Sequence, residues 1–188
     1  MMKSLFLAGA LSLFANPVLA ATWEAVPSSS ALKLVGQQGA NTITIQLPEW
    51  KAEIAFDPAD LASSKLKISV AMASLTSETQ NAADKAEEER ELKGKSWFNV
   101  AANPEAVFES TAISAKGDRY QATGNLTLRG VTMPATLDFA VAINGSDAEA
   151  TGSAVVSWPP FGMGWDPAQS GIKPEVKVEF RVVAKKAP

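Results

Sequence analysis

Apolar and polar residues alternate with a period of two over most of this chain, and that alternation constrains its fold more than any other feature. In residues 65–72 (KLKISVAM) the apolar positions are Leu66, Ile68, Val70 and Met72. In 135–143 they are Leu137, Phe139, Val141 and Ile143, and in 176–182 they are Val176, Val178, Phe180 and Val182. The intervening positions carry Lys65, Lys67, Ser69, Asp138, Lys177, Glu179 and Arg181. Strands with one apolar and one solvated face belong to antiparallel sheets. Turn chemistry falls between the runs at Asp57-Pro58, Lys116-Gly117-Asp118, Arg129-Gly130 and Asn144-Gly145. Strands are therefore expected near 30–37, 41–47, 50–57, 64–73, 105–115, 118–128, 131–144, 147–158 and 174–186. So long an antiparallel series closes on itself or splits into two sheets, because open edges invite pairing with other chains. Within it Ile68, Val70, Leu126, Leu128, Leu137, Phe139, Val178 and Phe180 share the apolar parity and should point inward.

One segment departs from the pattern. Residues 81–94 (NAADKAEEERELKG) are rich in Ala, Glu, Lys and Leu, lack β-branched residues and end on Gly94, which suits a helix terminus. Ala82, Ala86 and Leu92 form only a thin apolar stripe, so a short surface helix resting on the sheet is expected. The acidic run Glu87-Glu88-Glu89, with Lys85, Arg90 and Lys93 nearby, reads as its solvated face.

The N-terminus reads as a secretory leader. Lys3 precedes an apolar run from Leu5 to Phe14, Asn16-Pro17 break it, and Val18-Leu19-Ala20 suit a signal peptidase, so cleavage is expected after Ala20. The run is about half of the ~20 apolar residues that a membrane-spanning helix needs, and no integral membrane segment is expected. Residues 1–20 are thus the signal peptide and 21–188 one domain, large enough for a core. The chain contains no cysteine and no histidine. Disulfides, thiol chemistry, the usual zinc sites and Ser-His or Cys-His catalysis all need one of them. Carboxylates remain, among them Glu53, Asp57 and Asp84, but no spacing selects a pair, and no calcium-loop motif is present. No metal and no catalytic residue is assigned. The net charge of −3 becomes more negative when Lys3 is removed, and no basic patch suggests nucleic acid.

Two irregular stretches carry aromatics. In 96–110 (SWFNVAANPEAVFES) Trp97 and Phe98 are adjacent, and neighbours on a strand cannot both face a core. Either they plug and seal the end of the core or they rim an apolar cavity. In 157–167 (SWPPFGMGWDP) three prolines and two glycines exclude a regular strand, yet Trp158, Phe161, Met163 and Trp165 are present. That loop is either a plug over the core or a binding surface.

The order of "WFNVAANPEAVFES", "YQATGNLTLRGVT", "FGMG" and a last alternating strand resembles the YceI-like, polyisoprenoid-binding, lipocalin-like proteins. The resemblance runs through nearly the whole of 21–188. It implies an all-β fold, an extended antiparallel β-barrel with a short capping helix and an apolar internal tunnel. The tunnel would hold an isoprenoid chain, such as a quinone tail or polyprenyl precursor, with no other cofactor. Joined to the strand parity, it makes Phe56, Ile68, Val70, Phe108, Leu126, Leu128, Leu137, Phe139, Val178 and Phe180 the tunnel wall. Trp97, Phe98, Phe161, Met163 and Trp165 would flank its mouth, with Asp84 and Arg129 as polar mouth residues. The chain departs from the family pattern at "SSALKLVGQQGANTITIQLPEWKAEIAFDP", which lacks histidine, and at Trp158-Pro159, where Arg and Asp usually precede the late "FG". The resulting reading is a non-enzymatic periplasmic carrier of a polyisoprenoid or isoprenoid quinone, with homodimerisation left open. Two alternatives stand beside it: an outer-membrane barrel, whose apolar face would look outward, and a carboxylate-dependent hydrolase.

Overall fold

In the computed structural model, residues 20–164 and 171–188 are described. The chain forms β1 (Thr22–Ala25), β2 (Ala31–Gln38), β3 (Asn41–Gln46), β4 (Trp50–Ala55), β5 (Lys65–Ala71), β6 (Thr76–Ser77), α1 (Ala82–Lys93), β7 (Glu105–Lys116), β8 (Arg119–Leu128), β9 (Val131–Asn144), β10 (Asp147–Ser157) and β11 (Glu175–Lys186). Every pairing is antiparallel. The order β1-β4-β5-β7-β8-β9-β10-β11 is closed by a β1–β11 pairing, which makes a complete eight-stranded barrel. From β11 the order continues through β2 and β3 to β6, so the wall is extended at one end.

That extension arises because the first staves are broken. β1 lies against Ala184–Lys186 of β11, a single turn of 3-10 helix begins at Pro27, and β2 rejoins the same strand opposite Lys177–Arg181. Proline fixes φ and lacks an N–H, so it interrupts the ladder there. All nine strands expected from alternation are present. β1 and β6, of four and two residues, are additions too short for a period of two to register.

The β8–β9 hairpin is pinned by its turn. Arg129 and Gly130 have φ of 52° and 74°, the left-handed pair that a two-residue type I′ connection needs. Within the barrel, Gly152 of β10 lies opposite Phe139 and Phe180. A Cβ at this position would come within 2.4 Å of the Asp138 carbonyl oxygen and 2.6 Å of the Phe180 ring. The bare backbone leaves room for that ring beside Gly152.

Polarity follows the parity of the strands. Outward side chains pair as Lys33–Glu179 (3.2 Å), Lys67–Glu109 (2.7 Å) and Arg181–Glu149 (2.7 Å). Such exposed pairs add little stability, but a wall bearing charge along its strands is the reverse of a lipid-facing barrel surface. No described helix is long and apolar enough to cross a membrane.

Two clusters fill the ends. One end, where β4 finishes and β8 starts, holds Trp23, Phe56, Ile113, Ala122, Leu137 and Phe139. There Phe56 meets Tyr120 edge-on, with ring centroids 5.0 Å apart, and Trp23 donates its indole N–H to the Phe56 carbonyl at 3.0 Å. The other end holds Trp50, Leu75, Trp97, Phe98, Trp158, Phe161 and Met163. Between them the barrel is hollow.

Candidate functional site

The hollow is a cavity of about 1090 Å³. Its wall is built by the inward residues of successive strands: Leu66, Ile68 and Val70 from β5, Leu126 and Leu128 from β8, Leu137, Phe139 and Val141 from β9, and Val176, Val178 and Phe180 from β11. Phe56 and Phe108 also face it. Ile68, Leu126, Val178 and Phe180 are only half-buried although they point inward. In a packed core they would be sealed, so their exposure is to the lumen itself.

The aromatic stretches form a stopper. Trp97, Phe98, Trp158 and Met163 line the cavity and are buried. Trp97 and Trp158 stack at a tilt with centroids 5.3 Å apart. The Gly164 N–H donates to the Ser96 carbonyl at 2.6 Å, sewing the two stretches together, and the Trp158 indole donates to the Lys173 carbonyl at 2.8 Å. Trp97 and Phe98 therefore close the core and face the cavity from its stoppered end.

Two expected mouth residues, Phe161 and Arg129, sit outside the lining. Phe161 is buried in the stopper, at 4% exposure, but does not line the cavity. It belongs to a turn of 3-10 helix whose ring packs into the cluster behind the lining. Arg129 also lies outside the lining, because its guanidinium turns to the loop and donates to the Lys95 carbonyl at 2.6 Å. Trp165 falls outside the described residues. Asp84 does stand on the cavity rim.

The opening lies on another side, and the sheet explains why. β6 pairs with β3 only at Ile45 and Gln46, and the Glu78 N–H reaches the Thr44 carbonyl at 3.0 Å. Beyond that point the chain leaves for α1, and the edge of β3 from Asn41 to Ile43 has no strand beside it among the described residues. Apart from the indoles, every polar side chain of the described lining comes from this gap: Gln37, Gln38, Asn41, Thr42 and Thr44 on one side, and the segment from Glu78 to Glu91 on the other.

Helix α1 borders the gap with Leu92 as its one large apolar residue. None of its residues is buried. Asn81 caps it, accepting from the Ala83 and Asp84 N–H groups at 2.9 and 3.3 Å. Polar contacts hold it to β6: Glu88 accepts from the Ser77 and Thr79 hydroxyls, both at 2.7 Å, and Lys85 donates to the Ser77 carbonyl at 2.7 Å. Glu89 accepts from the Thr76 hydroxyl at 2.8 Å and the Ser77 N–H at 2.9 Å, bonds that hold its pKa below the ordinary carboxylate value. Of the expected apolar stripe, Leu92 packs against the end cluster and lines the cavity, whereas Ala82 and Ala86 are exposed. Asp84, Glu87, Glu88 and Glu91, at i, i+3, i+4 and i+7, form one stripe, and that stripe borders the cavity. The spacing was present in the sequence, but a run of acids reads as a solvated face until the neighbouring wall is known.

The other carboxylates considered for chemistry do not converge with Asp84. Glu53 is exposed on β4, and Asp57 accepts from the Ala59 N–H at 2.9 Å within a turn.

A closed eight-stranded antiparallel barrel with a hollow apolar interior is a lipocalin-like architecture. The YceI-like domain description matches residues 23–184, and the chain belongs to that family. A UPF0312 protein of Photorhabdus laumondii is 32% identical over 143 residues, covering 74% of this chain and 71% of the relative. UPF0312 proteins of Yersinia pestis are 50% identical over 62 residues, and the match spans about a third of each relative's length. Among solved structures, BcnA of Burkholderia cenocepacia superposes with a TM-score of 0.77 at 25% identity, covering 86% of this chain and 100% of that one. The YceI protein of Campylobacter jejuni superposes at 0.67 and 17% identity over the full length of both, a likeness of fold.

Proposed function

We propose that the protein is a non-enzymatic periplasmic carrier that takes the chain of a polyisoprenoid lipid, such as a quinone tail or a polyprenyl chain, into the barrel. The observation that carries this reading is the continuous apolar cavity of about 1090 Å³ between the aromatic end cluster and the rim beside α1. A chain that leaves water for this wall gains about 25 cal/mol per Å² of apolar surface without needing polar partners along its length. Selectivity then falls to the rim, where the polar groups are. Barrel interiors of this type suit storage and transfer, because the ligand is released unchanged.

Native mass spectrometry of protein purified without detergent tests the reading. The expected result is an adduct whose extracted mass is that of an isoprenoid lipid, with a melting temperature that falls when it is removed. A barrel that purifies empty, and whose melting temperature does not rise with a 20-carbon isoprenoid alcohol, would refute it.

A further inference from the structure

The rim of the cavity has one sign of charge. Glu78, Asp84, Glu87, Glu88 and Glu91 all line it, and no lysine or arginine does among the described residues. The chain as a whole is nearly balanced, with 17 basic and 20 acidic residues, so the asymmetry is local. The nearby cations are committed elsewhere or outside the lining. Lys85 holds the Ser77 carbonyl and lies 3.7 Å from Glu89, and Arg90, outside the lining, pairs with Glu87 at 3.4 Å, while the other four carboxylates have no ion pair among the described residues. The helix N-terminus, which would favour an anion, is capped by Asn81 and carries Asp84 in its first turn. An apolar wall of low dielectric behind the rim focuses this field on whatever polar group stands at the opening.

We infer that the opening selects its ligand by charge, favouring an apolar chain whose polar end is cationic, accepting an uncharged end, and rejecting a carboxylate or phosphate end. This inference rests on the cavity holding an apolar chain and adds the chemistry of the chain's polar end. The chain threads past β3 and α1, its apolar part meets the wall, and its end remains among the five carboxylates. An anionic end there faces several like charges at once, with no basic side chain of the lining to offset them. Glu88 has a second task, since it also fixes α1 to β6, so Asp84 and Glu87 are the cleaner determinants of selectivity.

The test compares three 20-carbon isoprenoid probes of one chain length, geranylgeraniol, geranylgeranylamine and geranylgeranoate, each below its micelle concentration. At about pH 8 the amine and the acid are both charged. Binding is read by quenching of the lining tryptophans and by calorimetry. At low ionic strength the amine should bind roughly five- to tenfold more tightly than the carboxylate, with the alcohol between them, and the gap should shrink towards unity in 1 M salt. The variant Asp84→Asn/Glu87→Gln should narrow the amine-to-carboxylate ratio at least about threefold. Both substitutions are nearly isosteric on exposed positions, and circular dichroism checks that the variant is folded. Equal affinity of the amine and the carboxylate at low salt, or a folded variant with the ratio unaltered, would overturn the inference while leaving the carrier reading intact. Failure of all three probes to bind would instead overturn the carrier reading, and this inference with it.

Discussion

A hollow barrel should respond unequally to two substitutions that remove the same number of atoms. Leu75→Ala and Ile68→Ala each delete three carbons, worth about 2.4 kcal/mol of transfer free energy if fully buried. Leu75 is 1% exposed, packs within the stopper cluster and does not line the cavity. Its truncation leaves a new void as well, which brings the expected cost to about 3–4 kcal/mol. Ile68 is half-buried, borders the lumen and touches both end clusters. Its truncation enlarges a space already present, so about half of the transfer term remains, roughly 1–1.5 kcal/mol. The difference of about 2 kcal/mol corresponds to roughly 4–8 °C in melting temperature for a domain of this size. Lipid-free protein, melted by calorimetry or circular dichroism at one scan rate, measures it. Equal losses for the two variants would mean that the interior is packed, and the argument for a lumen would fail.

Three further outcomes are expected. Gly152→Ala places a methyl group against the Asp138 carbonyl and should cost at least about 3 kcal/mol, whereas Gly36→Ala, whose Cβ would meet nothing closer than 3.8 Å, should be within about 1 kcal/mol of neutral; similar denaturation midpoints for both would contradict the close approach. The Thr76 hydroxyl, and after it the Ser77 N–H, hold the Glu89 pKa below its unfolded value, so this attachment of α1 is fully present above the ordinary carboxylate range and is lost as pH falls through the lowered value. Amide exchange in α1 should accelerate on acidification before exchange in the β7–β10 wall does, and simultaneous loss would tell against a polar attachment. N-terminal sequencing of the mature protein should begin at Ala21, and a chain retaining Met1 would remove the basis for export.

How much of this was legible in the sequence depended on the length of each signal. Alternation sustained over β9 or β11 leaves one solution, with Leu137, Phe139, Val178 and Phe180 on the inner face. β6, two residues long, gives no periodicity, yet its early end is what leaves the outer edge of β3 from Asn41 to Ile43 unpaired among the described residues and opens the wall. The opening was therefore invisible where it matters. The aromatic stretches drew attention because loops are normally polar. Trp97, Phe98 and Met163 do reach the cavity, but the Gly164–Ser96 hydrogen bond that turns them into a stopper joins segments far apart in sequence. The i, i+3, i+4, i+7 set in α1 could be read as a stripe. Which side it faced depended on Ser77 and Thr79 receiving Glu88, a tertiary contact that no helical wheel contains.

The ring of eight strands is completed by β1 and β11, where Trp23 stands opposite Lys186, roughly 160 residues later in the chain, and contacts of such separation are the slowest to form because the loop entropy is lost before they return anything. Every hairpin from β7 to β11 can zip locally, one beside the next. The seam cannot, so until β11 meets β1 the nascent sheet has two raw edges and an uncovered apolar face. A chaperone that sheltered this protein would need to recognise that face, and a lipid that met it before the seam closed would be enclosed without passing the rim beside α1.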